Sequence, residues 1–297
     1  MLLPVLALIF VQIVMPLWFA HWVWRARIDS RSAWVQRAIA TTAFGAWVFL
    51  SGRWDLIGYP LRYLIAALLL AALAAGFWRH RRLPWRAGKK FWARVNDVAT
   101  LAVALGFLTV TLFGYRHQGE ALQLASPLRG GVHYVAQGGG SVLLNYHHTY
   151  APQRYALDIV ALNDWGMRAT GLAPSALESY EIYGASVYSP CDGAVLERVN
   201  NLPDQRPPRS DPEHAAGNHL TIQCSGARIV LAHMQRGSVT ASTEVRIGDI
   251  VGRVGNSGNT TEPHLHIHAE RELSATRKIG VAMLIDDRFL TRNALIR

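Results

Sequence analysis

Four apolar stretches in the first 117 residues constrain the fold more than any other feature of this sequence. They cover approximately residues 3–23, 33–51, 56–78 and 98–115. Each is close to the roughly 20 residues that an α-helix needs to cross the hydrocarbon core of a bilayer. The sequence therefore predicts a multi-pass α-helical membrane anchor over residues 1–117, which enters the lipid bilayer through about four spans.

The distribution of basic residues predicts the orientation of these spans. Arg25, Arg27, Arg31 and Arg37 follow the first stretch, and seven Lys and Arg residues lie between positions 79 and 94. Loops rich in Lys and Arg stay in the cytoplasm. Four spans would then leave both termini on the outer side. Because the first stretch has no basic start and no small-residue cleavage site, we expect an anchor rather than a cleaved signal peptide.

The positive charge of the chain is confined to the same region. Residues 1–117 contain fourteen Lys and Arg against three Asp and Glu, whereas residues 118–297 contain sixteen against seventeen. A nucleic-acid-binding domain needs a basic patch of its own. We therefore expect no nucleic-acid partner. The polar, Gly-rich segment 118–140 is predicted to be a linker to an outer domain.

From residue 141 onward, short β-type runs alternate with turns rich in Gly, Pro, Asn and Asp. Examples are SVLLNYHH, YALDIVALN, GAVLERV, HLTIQC, RIVLAHM and IVGRVG. Such runs are typical of strands joined by tight turns. The sequence therefore predicts an all-β outer domain over residues 141–297. Residues 200–216, rich in Pro, Asp and Arg, are expected to form a long loop that either flanks a site or is disordered.

Three histidines alternate with apolar residues at the end of the run GDIVGRVGNSGNTTEPHLHIHAE. Residues two apart on a strand share a face, so His264, His266 and His268 lie together while Leu265 and Ile267 face a core. Neutral imidazole is the commonest metal ligand and the usual acid or base near neutral pH. The alternation favours a chemical site over a solvated polar face.

This run, together with LAHM and PCDGAV upstream, resembles the lysostaphin-like, or LytM-type, zinc metallopeptidases, which cut peptide cross-links in bacterial cell walls. The resemblance covers about residues 141–270. It implies a fold of the duplicated hybrid motif or barrel-sandwich type and one Zn²⁺ per chain. It also implies a membrane-anchored metalloendopeptidase that hydrolyses peptidoglycan peptides outside the bacterial cytoplasmic membrane.

The resemblance assigns roles to four residues. It makes Asp158 and His266 zinc ligands, and His233 and His264 catalytic residues. A carboxylate within an apolar strand such as YALDIV is costly unless it is paired or bound to a metal, which agrees with Asp158 as a ligand. His233 lies in the predicted strand RIVLAHM, where alternation allows it to face the same cleft as His264.

The remaining zinc ligand departs from the family pattern. The family commonly has a histidine four residues before the aspartate, and this position is Arg154, which has no lone pair to donate. His147 and His148 offer a replacement. Neighbours on a strand face opposite sides, so only one can reach the metal, and we favour His147 because it shares parity with Asn145. The lesser candidates are His214 and His219.

The two cysteines, Cys191 and Cys224, are too far apart in sequence for the close spacing of a structural zinc site. Outside the cytoplasm, a disulfide is the better interpretation. It would stabilise the outer domain by roughly 3 kcal/mol.

Two other classes of function remain open at this stage. Arg154 raises the alternative that the outer domain is catalytically inactive and binds or regulates another cell-wall hydrolase. A transporter or sensor whose spans do the work is a further alternative, although the stretches lack acidic or Lys residues at mid-membrane.

Overall fold

Apolar runs at the start of the sequence fold into helices, and the β-type runs that follow fold mainly into one large sheet. The computed structural model describes residues 2–25, 27–88, 91–274 and 276–297. The chain divides into two units, residues 3–112 and residues 113–297. Each unit has its own apolar core.

The helical unit is built from long helices with local capping signals. Ser30 precedes α3, and its Oγ accepts a hydrogen bond from the Ala33 backbone N–H at 3.4 Å, which satisfies one of the free donors at a helix start. A π-helical turn, Phe10–Val14, joins α1 to α2. In the described residues the α-helices are α1 Leu2–Ile9, α2 Met15–Trp24, α3 Arg31–Ser51, α4 Leu61–His80 and α5 Phe91–Phe113.

Three helical segments of the described chain are long and apolar enough to cross a membrane: Leu3–Trp24, Leu61–His80 and Arg94–Phe113. They correspond to the first, third and fourth predicted spans. The count of three segments is based on helix length and composition alone. Lys89 and Lys90, which belong to the predicted basic loop, lie outside the described residues.

The second predicted span, residues 33–51, is the helix α3, but it is not among the three apolar segments. Its sequence includes Gln36, Arg37, Thr41 and Thr42, which lower its mean hydropathy. Some of this polarity is covered, since Thr41 is fully buried and Ser51 donates from Oγ to the Trp47 carbonyl at 2.7 Å. Three of the four predicted spans are therefore helices that are long and apolar enough to cross a membrane, and the second is not one of them.

The second unit is a β-structure with short 3₁₀ turns. Its strands are β1 Ala121–Leu124, β2 Val132–Gln137, β3 Leu157–Leu162, β4 Ser186–Tyr188, β5 Gly193–Val199, β6 Asn218–Cys224, β7 Ala227–Met234, β8 Glu244–Val245, β9 Ile250–Arg253, β10 Leu265–Ser274, β11 Arg277–Ile285, β12 Arg288–Phe289 and β13 Leu295–Ile296. Among the described residues, eleven of these strands form one sheet, and β4 and β9 form a separate pair.

The main path of the sheet has the strand order β13-β2-β3-β10-β7-β6-β5-β8. In the described chain only the pairing of β1 with β11 is parallel, and all other pairs are antiparallel. The strand β10 lies between β3 and β7. Its Leu265 and Ile267 are fully buried in the apolar core. Its other face carries His266 and His268, which are also buried, so this polar face needs partners.

The predicted linker, residues 118–140, is not a linker. It contains β1 and β2, and β2 pairs with β3 and β13 inside the sheet. Tyr134 and Val135 are fully buried. Glycines like those of this segment are typical of linkers, and the run VHYVAQ pairs with residues 157–162 and 295–296, which are distant in sequence.

The predicted strand SVLLNYHH is also wrong. Residues 141–144 form turns, and Tyr146–Thr149 is a 3₁₀ turn. Asn145 directs this conformation, because its Oδ1 accepts from the His147 N–H at 3.1 Å while its Nδ2 donates to the Ala156 carbonyl at 3.0 Å. Asn is well suited to such local capping bonds.

The predicted disulfide is present. Cys191, in the turn before β5, is bonded to Cys224 at the end of β6, with their Cα atoms 6.3 Å apart. Cys224 is buried in the apolar core, and Cys191 packs against that core. The bond therefore ties the start of a strand to its antiparallel neighbour.

Candidate metal centre

Asp158 is the point on which the site converges. It lies on β3 directly opposite His266 of β10, and its carboxylate is buried. Asp158 Oδ1 is 2.9 Å from His266 Nδ1, and both carboxylate oxygens are 3.1 Å from His147 Nε2. His264 Nε2 lies 3.6 Å from the same Oδ1. Three imidazoles thus surround one carboxylate.

The environment keeps Asp158 ionised. Burial by itself raises the pKa of a carboxyl group, but the charges of His147 and His264 and hydrogen bonds from His147 and His266 hold the pKa of Asp158 well below its usual range. Burial also lowers the pKa of His266, against the opposing effect of Asp158. An anionic carboxylate and a neutral imidazole are the forms that bind a metal.

The donor set fits zinc. Two groups of three residues each bring their ligand atoms within 4.8 Å of one another: His147, Asp158 and His266, and His233, His264 and His266. The first contains the carboxylate and is taken as the donor set. Two imidazole nitrogens and one carboxylate oxygen are typical zinc ligands, and a three-residue set leaves a fourth position for water or substrate. Within the described chain, His264 Nε2 is a buried nitrogen with no hydrogen-bond partner, and it lies beside the same carboxylate, 3.6 Å from Asp158 Oδ1.

His233 joins the site through an unusual backbone conformation. Ala232 lies opposite His266, so regular alternation would turn His233 to the other face, beside the core residue Leu231. Its φ of 62° instead lies in the left-handed region, which non-Gly residues adopt at a cost of about 1–3 kcal/mol. Strand alternation therefore does not explain the direction of His233. The left-handed backbone at this residue brings its ring to 4.8 Å from that of His264.

The two histidines outside the donor set share one hydrogen-bonding arrangement. His233 Nδ1 is 2.9 Å from the Ser257 carbonyl, and His264 Nδ1 is 2.9 Å from the Glu262 carbonyl. Because a carbonyl oxygen only accepts, each Nδ1 carries a proton, so in the neutral form of each ring Nε2 holds the lone pair. Burial lowers the pKa of His233 well below its ordinary value, so this imidazole is neutral at neutral pH.

A Gly-rich turn makes these carbonyls available. Gly217 and Gly258 both have positive φ, and a Cβ on either would collide with backbone atoms of the neighbouring segment. The Ser257 hydroxyl donates to the Met234 carbonyl at 2.7 Å and accepts from the Asn218 N–H at 2.8 Å. Only glycine permits so close an approach, and the approach fixes the carbonyl that orients His233.

Residues 178–277 match the model of peptidase family M23. The matched segment includes His233, His264 and His266, and these are the residues that the structure gathers beside Asp158. The chain contains a peptidase family M23 domain. This confirms the lysostaphin-like assignment made from the sequence motifs. Members of the M23 family are generally zinc-dependent peptidoglycan hydrolases.

Several solved structures are similar to part of this chain. A zinc-containing peptidase from Vibrio cholerae is 23% identical, with 38% of this chain and 27% of that chain covered and a TM-score of 0.24. Lysostaphin in solution is 16% identical, with 42% and 39% covered and a TM-score of 0.27. The deep-sea M23 metalloprotease pseudoalterin is 13% identical, with 55% and 77% covered and a TM-score of 0.33.

The chain spans less than half the length of the first two of these proteins. No curated protein matches the chain.

A cleft of about 380 Å³ opens beside the donor set of the M23 domain. Its floor is the polar face of β7 and β10. One wall is the 3₁₀ turn with the exposed rings of Tyr146 and Tyr150, and the other is the small pair Ala215 and Ala216. The end of the segment 200–216 therefore flanks the cleft, and Asp204 helps to hold this segment by accepting from the Asn256 N–H at 2.6 Å.

The other sequence candidates lie outside the donor set. The Arg154 guanidinium stacks 5.5 Å from the Tyr155 ring, and burial and the Arg154 charge lower the pKa of His148. His219 Nδ1 is 2.8 Å from the Gly217 carbonyl. His214 is paired with Asp211 at 2.8 Å in an exposed loop.

His268 is a residue whose role the sequence did not reveal. Its Nδ1 lies 2.9 Å from His266 Nε2, and both rings are buried. If His266 Nδ1 faces a metal, its Nε2 carries the proton and donates to His268, as partners of metal-bound histidines commonly accept. Burial lowers the pKa of His268 well below its ordinary value, so it is neutral and able to accept. The alternation with His266 was the signal that placed it on this face.

Proposed function

We propose that this protein is a membrane-anchored zinc metalloendopeptidase that hydrolyses peptide bonds in peptidoglycan. The observation that carries the proposal is the convergence of His147, His264 and His266 on the buried Asp158 carboxylate, with His233 alongside. Three of these residues offer ligand atoms for one Zn²⁺ per chain. The M23 family match supports the substrate class.

Each residue has a distinct task in this proposal. His147, Asp158 and His266 hold the metal. When bound, zinc supplies a Lewis acid that lowers the pKa of water towards neutrality and polarises an amide carbonyl. His233 lines the cleft, and His264 Nε2 lies beside the donor set, 3.6 Å from Asp158 Oδ1, so in their neutral forms these rings can take a proton from the attacking water. Once protonated, they can donate to the developing oxyanion or to the leaving amine.

The cleft suits a peptide chain rather than a compact small molecule. It runs between two walls over a strand floor, and its lining in the described chain contains His, Tyr, Thr, Gln, Asn, Ala and Val side chains. No Asp, Glu, Lys or Arg is among these lining residues. Such a lining can bind backbone amides and the small side chains of wall peptides without selecting for strong charge.

We infer that the protein resides in the bacterial cytoplasmic membrane with the M23 domain on the outer side, where the periplasm or cell wall lies. The basic loops after the first and third spans favour this orientation, and the Cys191–Cys224 disulfide is in keeping with an oxidising compartment. The proposal takes α3 as a fourth span, because its polar Thr41 is covered within the helical unit. It also takes the M23 domain as a barrel-sandwich fold.

The test combines metal content with wall digestion. The full-length chain is purified in detergent, its zinc is measured, and purified sacculi are digested and assayed for new free amino groups. We expect about one zinc per chain and release of amino groups that stops with a chelator and returns with zinc. A folded protein that binds sacculi but releases no amino groups would support the regulatory alternative and overturn the enzyme proposal.

A further inference from the structure

The β-structured unit contains an ion pair, Arg168–Glu262, that the proposed reaction does not use. Arg168 precedes the family match, which begins at residue 178, whereas Glu262 lies inside it. The Arg168 side chain is only 1% exposed. Its Nε donates to Glu262 Oε2 at 2.8 Å, and an Nη lies 2.7 Å from the same oxygen. Charged groups so deeply buried require a fixed counter-charge.

The backbone around Arg168 is itself held in place. The Arg168 carbonyl accepts from the Glu181 N–H at 3.0 Å, and Ala169 pairs with Tyr180 in an antiparallel bridge. An Arg168 Nη also donates to the Leu172 carbonyl at 3.1 Å. The position of Arg168 is therefore fixed by its surroundings, and the Glu262 side chain is held by its ion pair with Arg168.

Glu262 connects Arg168 to His264. Its carbonyl accepts from His264 Nδ1 at 2.9 Å and from the Thr260 hydroxyl at 2.8 Å. Pro263 follows, is buried, and restricts the backbone of the residue before it. The Glu262 carbonyl thus has little freedom once the side chain is anchored. The direction of this carbonyl sets both the ring orientation of His264 and the nitrogen that carries its proton.

We propose that Arg168 is a positioning residue for the hydrolysis: by pairing with Glu262, it holds the carbonyl that keeps His264 Nε2 directed at the donor set, 3.6 Å from Asp158 Oδ1, as the proton acceptor. The loss of rate that we expect from this inference rests on the proposed function. The tautomer of His264, which is its structural part, is measurable without substrate. A small displacement of a reacting group is enough to lower the rate strongly.

The primary experiment reads the tautomer directly. The full-length chain in detergent is labelled with ¹⁵N-histidine, and long-range ¹H–¹⁵N spectra are recorded for the wild type, Arg168→Met and Glu262→Gln. His264→Gln identifies the His264 signals among those of the twelve histidines. We expect His264 to be protonated at Nδ1 in the wild type and to become a mixture of tautomers in both variants. Unchanged His264 signals in either folded variant would overturn the inference.

Kinetics on sacculi provide the second measurement. In both variants we expect kcat to fall about tenfold while KM stays within about twofold and zinc content is unchanged. Arg168→Lys, which restores the charge with fewer donors, should recover part of kcat. Glu272→Gln is the matched control, because it removes a glutamate that pairs with Arg228 at 2.6 Å at the far end of β10. It should leave kcat and the His264 signals as in the wild type.

These two measurements separate two kinds of failure. A wild-type protein that hydrolyses nothing refutes the proposed function, and the spectra still decide whether Arg168 positions His264. Should Arg168→Met fail to fold, Glu262→Gln tests the same link, because it removes the charge and keeps the size of the side chain. An active wild type whose kcat is unchanged in a variant that has lost the ion pair would overturn the positioning role.

Discussion

Asp158 of β3 and His266 of β10 lie directly opposite each other, with Asp158 Oδ1 2.9 Å from His266 Nδ1. The pairing is possible because β10 lies between β3 and β7 in the sheet. A carboxylate from one neighbouring strand and a kinked histidine from the other therefore meet the imidazoles of β10. The site depends on strand order, which brings together residues more than a hundred positions apart in sequence.

The first prediction separates the catalytic pair from the metal ligands. His233→Ala and His264→Ala should retain about one zinc per chain, since neither residue belongs to the proposed ligand set. The rate on sacculi should fall by on the order of 10²-fold or more, because each change removes an imidazole that can accept and return a proton beside the proposed donor set. Zinc analysis and initial rates on the same preparations are the measurements.

A substitution beside the site but off the cleft provides the control. His219→Ala alters a histidine that is bonded to the Gly217 carbonyl, and it should keep both zinc and rate. Full activity in His264→Ala would contradict the role of that residue, and loss of zinc in His233→Ala would move His233 into the ligand set.

Local alternation predicted the site only in part. It placed His266 and His268 on one face of β10 and Leu265 and Ile267 in the core, as the structure has them. It does not explain His233, whose direction comes from a left-handed backbone. Nor does it explain His147, which is placed by a 3₁₀ turn capped by Asn145. The conformation of His233 depends on contacts with the distant residues Ala216 and Ser257, which no local pattern encodes. The turn at His147 depends instead on the local Asn145 cap, which strand alternation ignores.

The same limit applies to the fold. Apolar length predicted the helical region, and β-type runs predicted most strands of the M23 domain. The strands β1 and β2 were missed because their partners, β11, β3 and β13, lie far along the chain. Likewise, α3 is a helix whose polar residues are partly covered by its neighbours, and this cover is supplied by segments that its own composition does not describe.

The second prediction concerns pH. Burial lowers the pKa values of His233 and His268 well below the ordinary value of 6.5. The unfolded chain therefore takes up protons near pH 6.5 while the folded chain does not. The stability that these neutral rings contribute is present above pH 6.5 and is lost as pH falls below it, by up to about 1.4 kcal/mol per pH unit for each histidine.

Thermal unfolding of the chelator-treated protein between pH 7.5 and 5 measures this loss. The midpoint should fall as the solution is acidified, and His268→Gln should flatten the dependence because a neutral amide replaces one titrating ring. A midpoint that stays constant or rises towards pH 5 would contradict the neutral state of these histidines.

The third prediction concerns the disulfide. Cys191 and Cys224 are 33 positions apart, and closing a loop of this length stabilises a folded chain by roughly 3–4 kcal/mol. A reductant should therefore lower the unfolding midpoint. Both cysteines of the natively exported protein should resist alkylation until reductant is added, and mass spectrometry of the alkylated protein would show this. Two reactive thiols before reduction would exclude the bond in the cell.

The fourth prediction concerns orientation. A reporter fused after Arg86 should be cytoplasmic, because the segment carries a cluster of basic residues. A reporter fused after Arg297 should be external, and one fused after Gly58, between α3 and α4, should be external only if α3 spans the membrane. The Gly58 fusion thus tests the fourth span by itself. A cytoplasmic signal from the Arg297 fusion would reverse the proposed topology.

The fifth prediction concerns the zinc ligand that replaces the usual family histidine. His147→Ala should lose zinc and activity as completely as Asp158→Ala and His266→Ala, because a three-ligand site reduced to two holds the metal poorly. His148→Ala is the matched control, since it alters the adjacent histidine and leaves the donor set intact. Arg154→Ala should also keep its zinc, because the guanidinium stacks on Tyr155 and cannot bind a cation.

Metal content after dialysis against a weak chelator, measured beside the rate on sacculi, decides between these variants. Retention of zinc by His147→Ala and its loss from His148→Ala would mean that the 3₁₀ turn rearranges to present the other ring. If both variants kept zinc and rate, neither histidine would be the replacement ligand, and Asp158 and His266 would need a third partner. His264 Nε2, 3.6 Å from Asp158 Oδ1, is then the nearest alternative, and His264→Ala would lose its zinc.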